Sequence, residues 1–350
     1  MFVEANARGS IFDVIQHRNL DDFNKLLPFE SSQVNDLVAA VQVTHFDCGG
    51  TVIGLLFQHK IGDGMSSINF LNNWGEIARG NNHVSSPCFD LAVRFPPINL
   101  EDFDHNSEVV KENVSSKWFM CNAKSIAALR DRYGENSDTA GKTIRPSKIE
   151  TLTAFITSRI MAATHQSVNS SDRTYLVHHP INLRPRMDPP LSKQHFGNII
   201  IEPVVATADL KANDGWCYGI ISQMRETISS VDAEYVKNLK GEEYLDIMKK
   251  RAEKFKAENV TSIVFTSACR FPLYDVDFGW GKAVWIGMGG WPFHNMILFL
   301  DSKVEGDIEV HILLKDEVMA NFVNDEELHA FLSPIPFFPF VKELKPQARL

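Results

Sequence analysis

The chain has 350 residues, of which 44% are apolar, a size and composition typical of a globular protein with one large domain or two smaller ones. Its formal charge of −9 at pH 7 provides no long-range attraction for nucleic acid, which argues against bulk nucleic-acid binding. The five cysteines are widely spaced and contain no C-x-x-C pair, so we expect reduced thiols in a cytoplasmic protein, without a disulfide framework or zinc knuckle.

In the first hundred residues the pattern predicts a hairpin followed by a helix. Two β-branched apolar segments, 37–47 and 50–59, flank a Gly-containing turn, as two antiparallel strands do. From Met65 to Ile77 large apolar residues recur about every three positions, which predicts a helix buried on one face. His59 therefore ends a strand, and Asp63 lies just before a helix.

The remaining chain alternates strand and helix patterns, so that two α/β halves are the simplest account. Ser147 and Glu150 have the spacing of a capping box at the start of a helix. The predicted elements are a strand at 116–122, helices at 123–133 and 147–165, strands within 174–187 and 196–207, charged surface helices within about 214–257, and strands separated by turns within 261–314.

Several common catalytic signatures are missing, including the G-x-S-x-G elbow, the P-loop and H-E-x-x-H. His178 and His179 are adjacent, but successive strand residues point to opposite faces and cannot chelate one metal together. We therefore expect one core and one surface histidine there, and no metal site.

The sequence "HKIGDG" at 59–64 offers a candidate catalytic group. A histidine at a strand end can present its imidazole to a cavity, and its ordinary pKa near 6.5 suits a general base at neutral pH. The alternative is an ordinary loop histidine, with Asp63 acting only as the N-cap of the following helix. Spacing alone does not decide between them.

A second motif, "DFGWG", combines an acid, two aromatic residues and two glycines at Asp277, Phe278, Gly279, Trp280 and Gly281. With "HKIGDG" in this order and separation, and with "INLRPRMDPP" and "FGNI" between them, the chain resembles the BAHD family of plant acyl-CoA-dependent acyltransferases. His59, Asp63 and Gly64 match that family's H-x-x-x-D-G motif. Three further stretches look most like the vinorine synthase-like branch of O-acetyltransferases: "CGGTVIGLLFQHKIGDG", "VHHPINLRPRMDPPL" and "CRFPLYDVDFGWGKAVW".

The resemblance implies an α/β fold of two similar chloramphenicol-acetyltransferase-like domains, with mixed sheets flanked by helices and an active-site channel at their interface. We assign residues 1–100 to the amino-terminal domain and 101–350 to the carboxy-terminal domain, with the boundary somewhere within about 86–145. Compared with the family, the first strand and helices of the amino-terminal domain are expected to be missing, so the chain resembles an N-terminally shortened member.

The resemblance also implies roles for individual residues. His59 is expected to act as general base, with no covalent acyl-enzyme. Asp63 is expected to form an ion pair with Arg184 that shapes the loop carrying Gly64. The D-F-G-W-G residues are expected to support the architecture at a distance from the chemistry.

The implied co-substrate is acyl-CoA, most simply acetyl-CoA, with no permanently bound cofactor. Its contacts are expected from Ser147 and Lys148, at a helix N-terminus suited to phosphate, and from Thr266 and Ser267; Ser147 is equally well explained as a capping residue. The expected acceptor is a hydroxyl of an apolar specialised metabolite, an alkaloid or terpenoid alcohol. A monomer with no nucleic-acid or membrane partner is expected.

One position departs from the branch. Ala268 stands where the branch usually has Trp, and loss of the indole is expected to affect substrate choice and rate, through a wider channel or a missing group near the tetrahedral intermediate. Two alternative functions stay open: a non-catalytic relative that binds ligands or proteins, and a hydrolase in which water replaces the acceptor alcohol.

Overall fold

The computed structural model describes residues 1–29, 37–97, 113–134, 145–167, 173–207, 214–239, 259–289 and 294–335, with positions 241, 244, 245 and 249. The predicted helical stretch therefore lies partly outside the described residues beyond 239. None of the described helices combines the length and apolar character needed to cross a bilayer.

A three-stranded sheet forms from the first part of the chain, in the order β1 (Phe2–Ala7), β2 (Ala39–Phe46) and β3 (Thr51–Phe57). β1 is parallel to β2, and β2 pairs with β3 in an antiparallel register that places Ala39 opposite Phe57. Gly49 turns the chain between them with a φ of +82°, a conformation that glycine adopts without strain. The predicted hairpin is confirmed, and His59 follows its second strand.

A larger, seven-stranded sheet forms from the rest of the chain. Its strands are β4 (Val114–Cys121), β5 (Thr174–His178), β8 (Val204–Thr207), β9 (Val260–Ser267), β10 (Met296–Asp301), β11 (Ile308–Lys315) and β12 (Ser333–Pro334). They lie in the order β12-β4-β11-β10-β9-β5-β8. β9 runs parallel to both of its neighbours, β10 and β5, whereas the other pairs are antiparallel, so the sheet is mixed as predicted. A separate ribbon pairs β6 (Ile181–Asn182) with β7 (Ile200–Ile201).

Helices cover both faces of the larger sheet. The described helices are α1 (Ile11–His17), α2 (Leu20–Lys25), α3 (Gly64–Ala78), α4 (Leu91–Arg94), α5 (Ala123–Gly134), α6 (Lys148–Ser167), α7 (Asp214–Ser230), α8 (Ala233–Asn238), α9 (Asp316–Phe322) and α10 (Glu326–Phe331). In the main core, one face of the sheet packs against α5, α6, α7, α9 and α10. On the other face, Phe23 of α2 packs against Trp118, Leu298 and Leu300. The division into domains 1–100 and 101–350 stays a prediction.

Three local predictions need correction. The strand pattern at 174–187 ends at His178 and is followed by the β6 ribbon strand and a short 3-10 helix, Arg184–Arg186. His178 and His179 are both buried, so the expectation of one surface histidine is wrong, and burial lowers the pKa of His179 to about 4. Ile77, predicted on the buried face of α3, is 59% exposed because it lies at the end of that helix.

Candidate active site

His59 lies in the turn that follows β3, with its side chain exposed to solvent. The turn is narrow: a Cβ on Gly62 would come within 2.8 Å of the Ser66 Cβ, so glycine is required at this position. Asn198 Nδ2 donates a hydrogen bond of 2.5 Å to the main-chain oxygen of His59. The backbone of the histidine is thus tied to a distant part of the chain while the imidazole stays accessible.

Four residues after His59, Asp63 has two structural functions at once. Its Oδ1 accepts hydrogen bonds of 2.9 Å from both the backbone N–H and the hydroxyl of Ser66, which makes it the N-cap of α3. Its carboxylate also faces Arg184, at 2.7 Å from Oδ2 to Nη1 and 3.1 Å from Oδ1 to Nη2. The predicted ion pair and the competing N-cap role are therefore both present.

The guanidinium of Arg184 is fully enclosed, with a side-chain exposure of 2%. Besides the carboxylate, it donates to the main-chain oxygen of His195, at 3.2 Å from Nε and 2.8 Å from Nη2. Gly197 N donates to the Ser66 hydroxyl at 3.1 Å, and Ile199 N donates to Asp63 Oδ2 at 3.1 Å. Segment 195–199 therefore wraps around the ion pair and fixes the loop that carries His59.

The electrostatics of Asp63 follow from these contacts. Burial alone would raise the pKa of this carboxyl, but the hydrogen bond and charge of Arg184, together with the bonds from Ser66, hold the pKa below its usual value. Asp63 is thus a carboxylate at neutral pH. With all its bonds directed into the protein, it anchors the loop and does not face a substrate.

The D-F-G-W-G motif lies against the other end of α3. A Cβ on Gly75 would meet the main-chain oxygen of Asp277 at 2.7 Å, so helix and motif are in direct backbone contact. Arg79, which follows α3, forms an ion pair of 3.2 Å with Asp277, and Trp74 contacts Phe278 edge-to-face at 4.8 Å. α3 thus connects the two motifs, with the histidine loop at its start and D-F-G-W-G at its end.

Within that motif, Asp277 Oδ1 accepts from the backbone N–H groups of Gly279 and Gly281, at 2.7 and 3.1 Å. Both glycines have a φ of +100°, which other residues rarely adopt. The Trp280 side chain is 70% exposed, and its ring stacks on Phe278. The contacts within the motif therefore build a tight turn; the supporting role assigned to Trp280 stays a prediction.

Of the candidate CoA residues, Lys148 and Ser267 lie near each other, since both act on the Cys269 thiol. Ser147 forms the predicted capping box, since its N–H donates to Glu150 and its hydroxyl accepts from the Glu150 N–H. Lys148 is exposed and donates a bond of 3.0 Å to the Gly306 carbonyl, which leaves two of its three N–H donors for other acceptors. Thr266 and Ser267 are half-buried at the end of β9. Of the pair at the start of α6, Lys148 has the greater remaining capacity for an anion.

A buried cluster adjoins Ala268 on the sheet face opposite the main core. Ala268 and Trp285 both pack against the cluster of Phe23, Trp118, Leu298 and Leu300, and the Trp285 ring lies 5.3 Å from Trp118 and 5.3 Å from the Arg18 guanidinium. Trp285 Nε1 donates to Glu309 at 3.2 Å, and burial raises the pKa of this carboxyl. The cluster against which Ala268 packs therefore contains two large aromatic side chains, Phe23 and Trp118.

Sequence reasoning missed segment 195–199 and this cluster. The segment acts largely through backbone atoms, which carry no residue-type signature; "FGNI" marked it only through the family resemblance. For the cluster a signal existed: Glu309 and His311 alternate in an otherwise apolar strand, β11, which indicates polar groups on one sheet face.

The fold and the site together define a class of protein: an acyltransferase built on mixed sheets flanked by helices, with a His-x-x-x-Asp-Gly loop anchored by a buried Arg. The family model described as "Transferase family" matches residues 1–329. The chain therefore belongs to this family, the BAHD acyltransferases.

Similar proteins support this membership. A limonoid 21-O-acetyltransferase from Melia azedarach is 30% identical over 342 residues, which cover 96% of this chain and 78% of that protein. The crystal structure of vinorine synthase superposes with a TM-score of 0.76 at 28% identity, covering 95% of this chain and 77% of the other. TRI101 from F. sporotrichioides, solved with coenzyme A and T-2, has a TM-score of 0.73 at 16% identity, covering 95% of this chain and 80% of that chain. The predicted fold class is confirmed, and at 16% identity TRI101 speaks for the fold alone.

Proposed function

We propose that this protein transfers an acyl group, preferentially acetyl, from acyl-CoA to a hydroxyl of a plant specialised metabolite, with His59 as general base. The observation that carries the proposal is the construction of the histidine loop. The imidazole of His59 is exposed, while the loop around it is held by a buried carboxylate–guanidinium pair and by Asn198. An accessible base on a rigid support is what directed proton transfer requires.

The reaction divides into attack and collapse. An alcohol is too weakly acidic to ionise at neutral pH, so the base removes its proton as the oxygen attacks the thioester carbonyl. The resulting tetrahedral intermediate expels the CoA thiolate, which takes the proton back from the imidazolium of His59. The products are an ester and free CoA thiol, and the base is regenerated without a covalent acyl-enzyme.

The cysteine next to the candidate CoA residues is poorly suited to covalent catalysis. Burial raises the pKa of the Cys269 thiol to about 11, although the Ser267 hydroxyl and the Lys148 charge act in the opposite direction. At neutral pH the thiol is protonated and therefore a weak nucleophile. This supports direct transfer between the two substrates.

The donor assignment rests on several observations. The solved structure of TRI101 contains coenzyme A in the same fold, and the Melia relative is named an O-acetyltransferase. In this chain Lys148 is the exposed cation at the candidate donor site, so we assign it to a CoA phosphate. Ser147, Thr266 and Ser267 complete the proposed contacts, and the proposed working state is a cytosolic monomer.

Thiol release from acetyl-CoA tests the function directly. The purified chain is assayed with a panel of alkaloid and terpenoid alcohols, and ester formation is followed by mass spectrometry. We expect alcohol-dependent release that falls by at least about 100-fold in His59→Ala, the range that general-base catalysis contributes. His83→Ala, which removes another exposed histidine, is the matched control and should keep full activity.

Three outcomes would contradict the proposal. Equal activity in His59→Ala and the parent protein would remove the histidine from the mechanism. Thiol release that needs no alcohol and yields no ester would point to thioester hydrolysis instead. CoA and ligand binding by a folded protein that produces neither thiol nor ester would favour the non-catalytic alternative.

A further inference from the structure

Three potential metal ligands converge beside the segment that holds Arg184. Cys88 and Asp90 lie in the connection between α3 and α4, and His195 is the first residue of segment 195–199. The backbones are joined directly, since Cys88 N donates to Gln194 O at 2.9 Å and Phe196 N donates to Cys88 O at 3.0 Å. Sulfur, carboxylate oxygen and imidazole nitrogen all lie within 4.8 Å of one another.

The imidazole of His195 is held through Nδ1, the ring nitrogen that contacts Ser192. Its side chain is 14% exposed, and Nδ1 lies 3.2 Å from the main-chain oxygen of Ser192. The Ser192 hydroxyl lies 3.0 Å from the same nitrogen, so both contacts of Nδ1 are made with Ser192 and Nε2 is the ring nitrogen that faces Asp90. A metal-binding histidine is usually held by a contact of this kind, made by the ring nitrogen that does not bind the metal.

Asp90 is the central residue of the three, because its carboxylate faces both His195 and Cys88. Nε2 lies 3.6 Å from Asp90 Oδ1, longer than a hydrogen bond, and the Cys88 thiol is a hydrogen-bond partner of the same carboxylate. The other oxygen, Oδ2, lies 3.6 Å from Arg94 Nε. A separation of 3.6 Å is close to the spacing of two ligand atoms around one tetrahedral ion.

We propose that Cys88, Asp90 and His195 bind one Zn²⁺ ion. A thiolate, a carboxylate and an imidazole form a ligand set that suits zinc, whereas magnesium and calcium prefer oxygen alone. On binding, the Cys88 thiol loses its proton to solvent, and the thiolate, Asp90 and Nε2 of His195 each donate an electron pair to the metal. Water occupies the fourth position, because the cluster lies at the surface.

The ion has a structural consequence for the candidate active site. It joins the connection after α3 to segment 195–199, whose main-chain oxygens accept from Arg184. Metal binding therefore fixes one wall of the histidine loop without touching a reacting atom. This site is independent of the proposed acyl transfer.

Titration of the 350-residue chain with zinc tests the site. After removal of metals with a chelator, isothermal titration should show one strong site per chain, with proton release that matches one thiol. Replacement of zinc by Co²⁺ should produce a thiolate-to-cobalt charge-transfer band and visible bands of a four-coordinate ion. We expect zinc binding to be at least about 100-fold weaker in each of the variants Cys88→Ser, Asp90→Asn and His195→Gln. Loss of a residue that only contacts a metal ligand typically costs about 10–100-fold in affinity, so loss of a ligand itself should cost more.

Cys48→Ser, at an exposed cysteine on the β2–β3 turn, is the matched control and should bind as the parent does. Thermal unfolding of every variant without metal shows whether it folds, and zinc should raise the melting temperature of the parent and the control only. The proposal is overturned if folded Cys88→Ser and His195→Gln bind zinc as the parent does. It is also overturned if the parent has no strong site, in which case a protonated His195 paired with Asp90 accounts for the geometry.

Discussion

The sharpest test of how the histidine loop is held is to remove the charges of the buried pair, first singly and then together. The variants are Asp63→Asn, Arg184→Met and the combination of both. Asparagine keeps an oxygen that can cap α3 through Ser66 N, so Asp63→Asn mainly removes the charge. Methionine fills much of the space of the arginine stem without its donors. The double variant carries neither charge.

The size of the effect follows from burial. Asp63→Asn leaves the guanidinium of Arg184 enclosed without its counter-charge, at a cost of about 3–5 kcal/mol in the free energy of unfolding. Arg184→Met costs about 3 kcal/mol, the lower end of that range, because the carboxylate keeps three donors from Ser66 and Ile199. The double variant should be little worse than either single one, so we expect a coupling energy of about 2–3 kcal/mol.

Urea unfolding, followed by circular dichroism, measures the three free energies of unfolding, and acetyl-CoA turnover measures the consequence for His59. A displaced loop should lower kcat/KM by about 100-fold, as misplacement by about 1 Å does. A charge-swapped pair is a poorer test. An arginine at position 63 could not accept the hydrogen bonds from Ser66 N and Ile199 N that the carboxylate accepts.

Additive effects would refute this reasoning. If the two single losses sum to the loss in the double variant, with a coupling below about 0.5 kcal/mol, the ion pair is not what stabilises the loop. A full coupling energy with unchanged turnover would separate the two claims: the pair would stabilise the fold without positioning the catalytic histidine.

Three further predictions concern pH, packing and the donor. Because the pKa of folded Asp63 lies below its unfolded value of about 3.9, its stabilisation is complete above that pH and is lost as pH falls through the folded pKa; acid unfolding of Asp63→Asn should lack this component. Gly75→Ala should destabilise by about 1–3 kcal/mol through its 2.7 Å clash with Asp277 O, whereas Gly219→Ala, with open space on α7, should stabilise by up to about 1 kcal/mol, as thermal unfolding of both would show. Lys148→Gln should raise KM for acetyl-CoA by about 10-fold with kcat unchanged, and Lys237→Gln on α8 should change neither; a lowered kcat with unaltered KM would contradict the assignment.

The sequence predicted best what depends on neighbouring residues. The β2–β3 hairpin, the start of α3 and the capping box of Ser147 all follow from periodicity or from residue types a few positions apart. Residue pairs far apart in sequence were predicted only where a family motif marks them, as for Asp63 and Arg184.

The missed features share a different physical origin. Backbone oxygens of segment 195–199 receive the guanidinium of Arg184, and any residue type has such oxygens. His179 is buried by tertiary packing that its own strand-end position does not reveal. Cys88 and His195 become neighbours only after the chain has folded, and a motif search restricted to close spacing cannot pair them.

The attachment of α3 at both ends has a consequence for protein engineering. Its first turn belongs to the hydrogen-bond network of Arg184, and its last turn contacts the backbone at Asp277 through Gly75. A chimera that exchanges only the amino-terminal part of two such enzymes would keep one parent's helix and the other parent's two attachment points. Crossovers should therefore transfer residues 59–79 together with 184–199 and 271–281 as one exchangeable unit, and libraries that diversify acceptor choice should leave these three stretches constant.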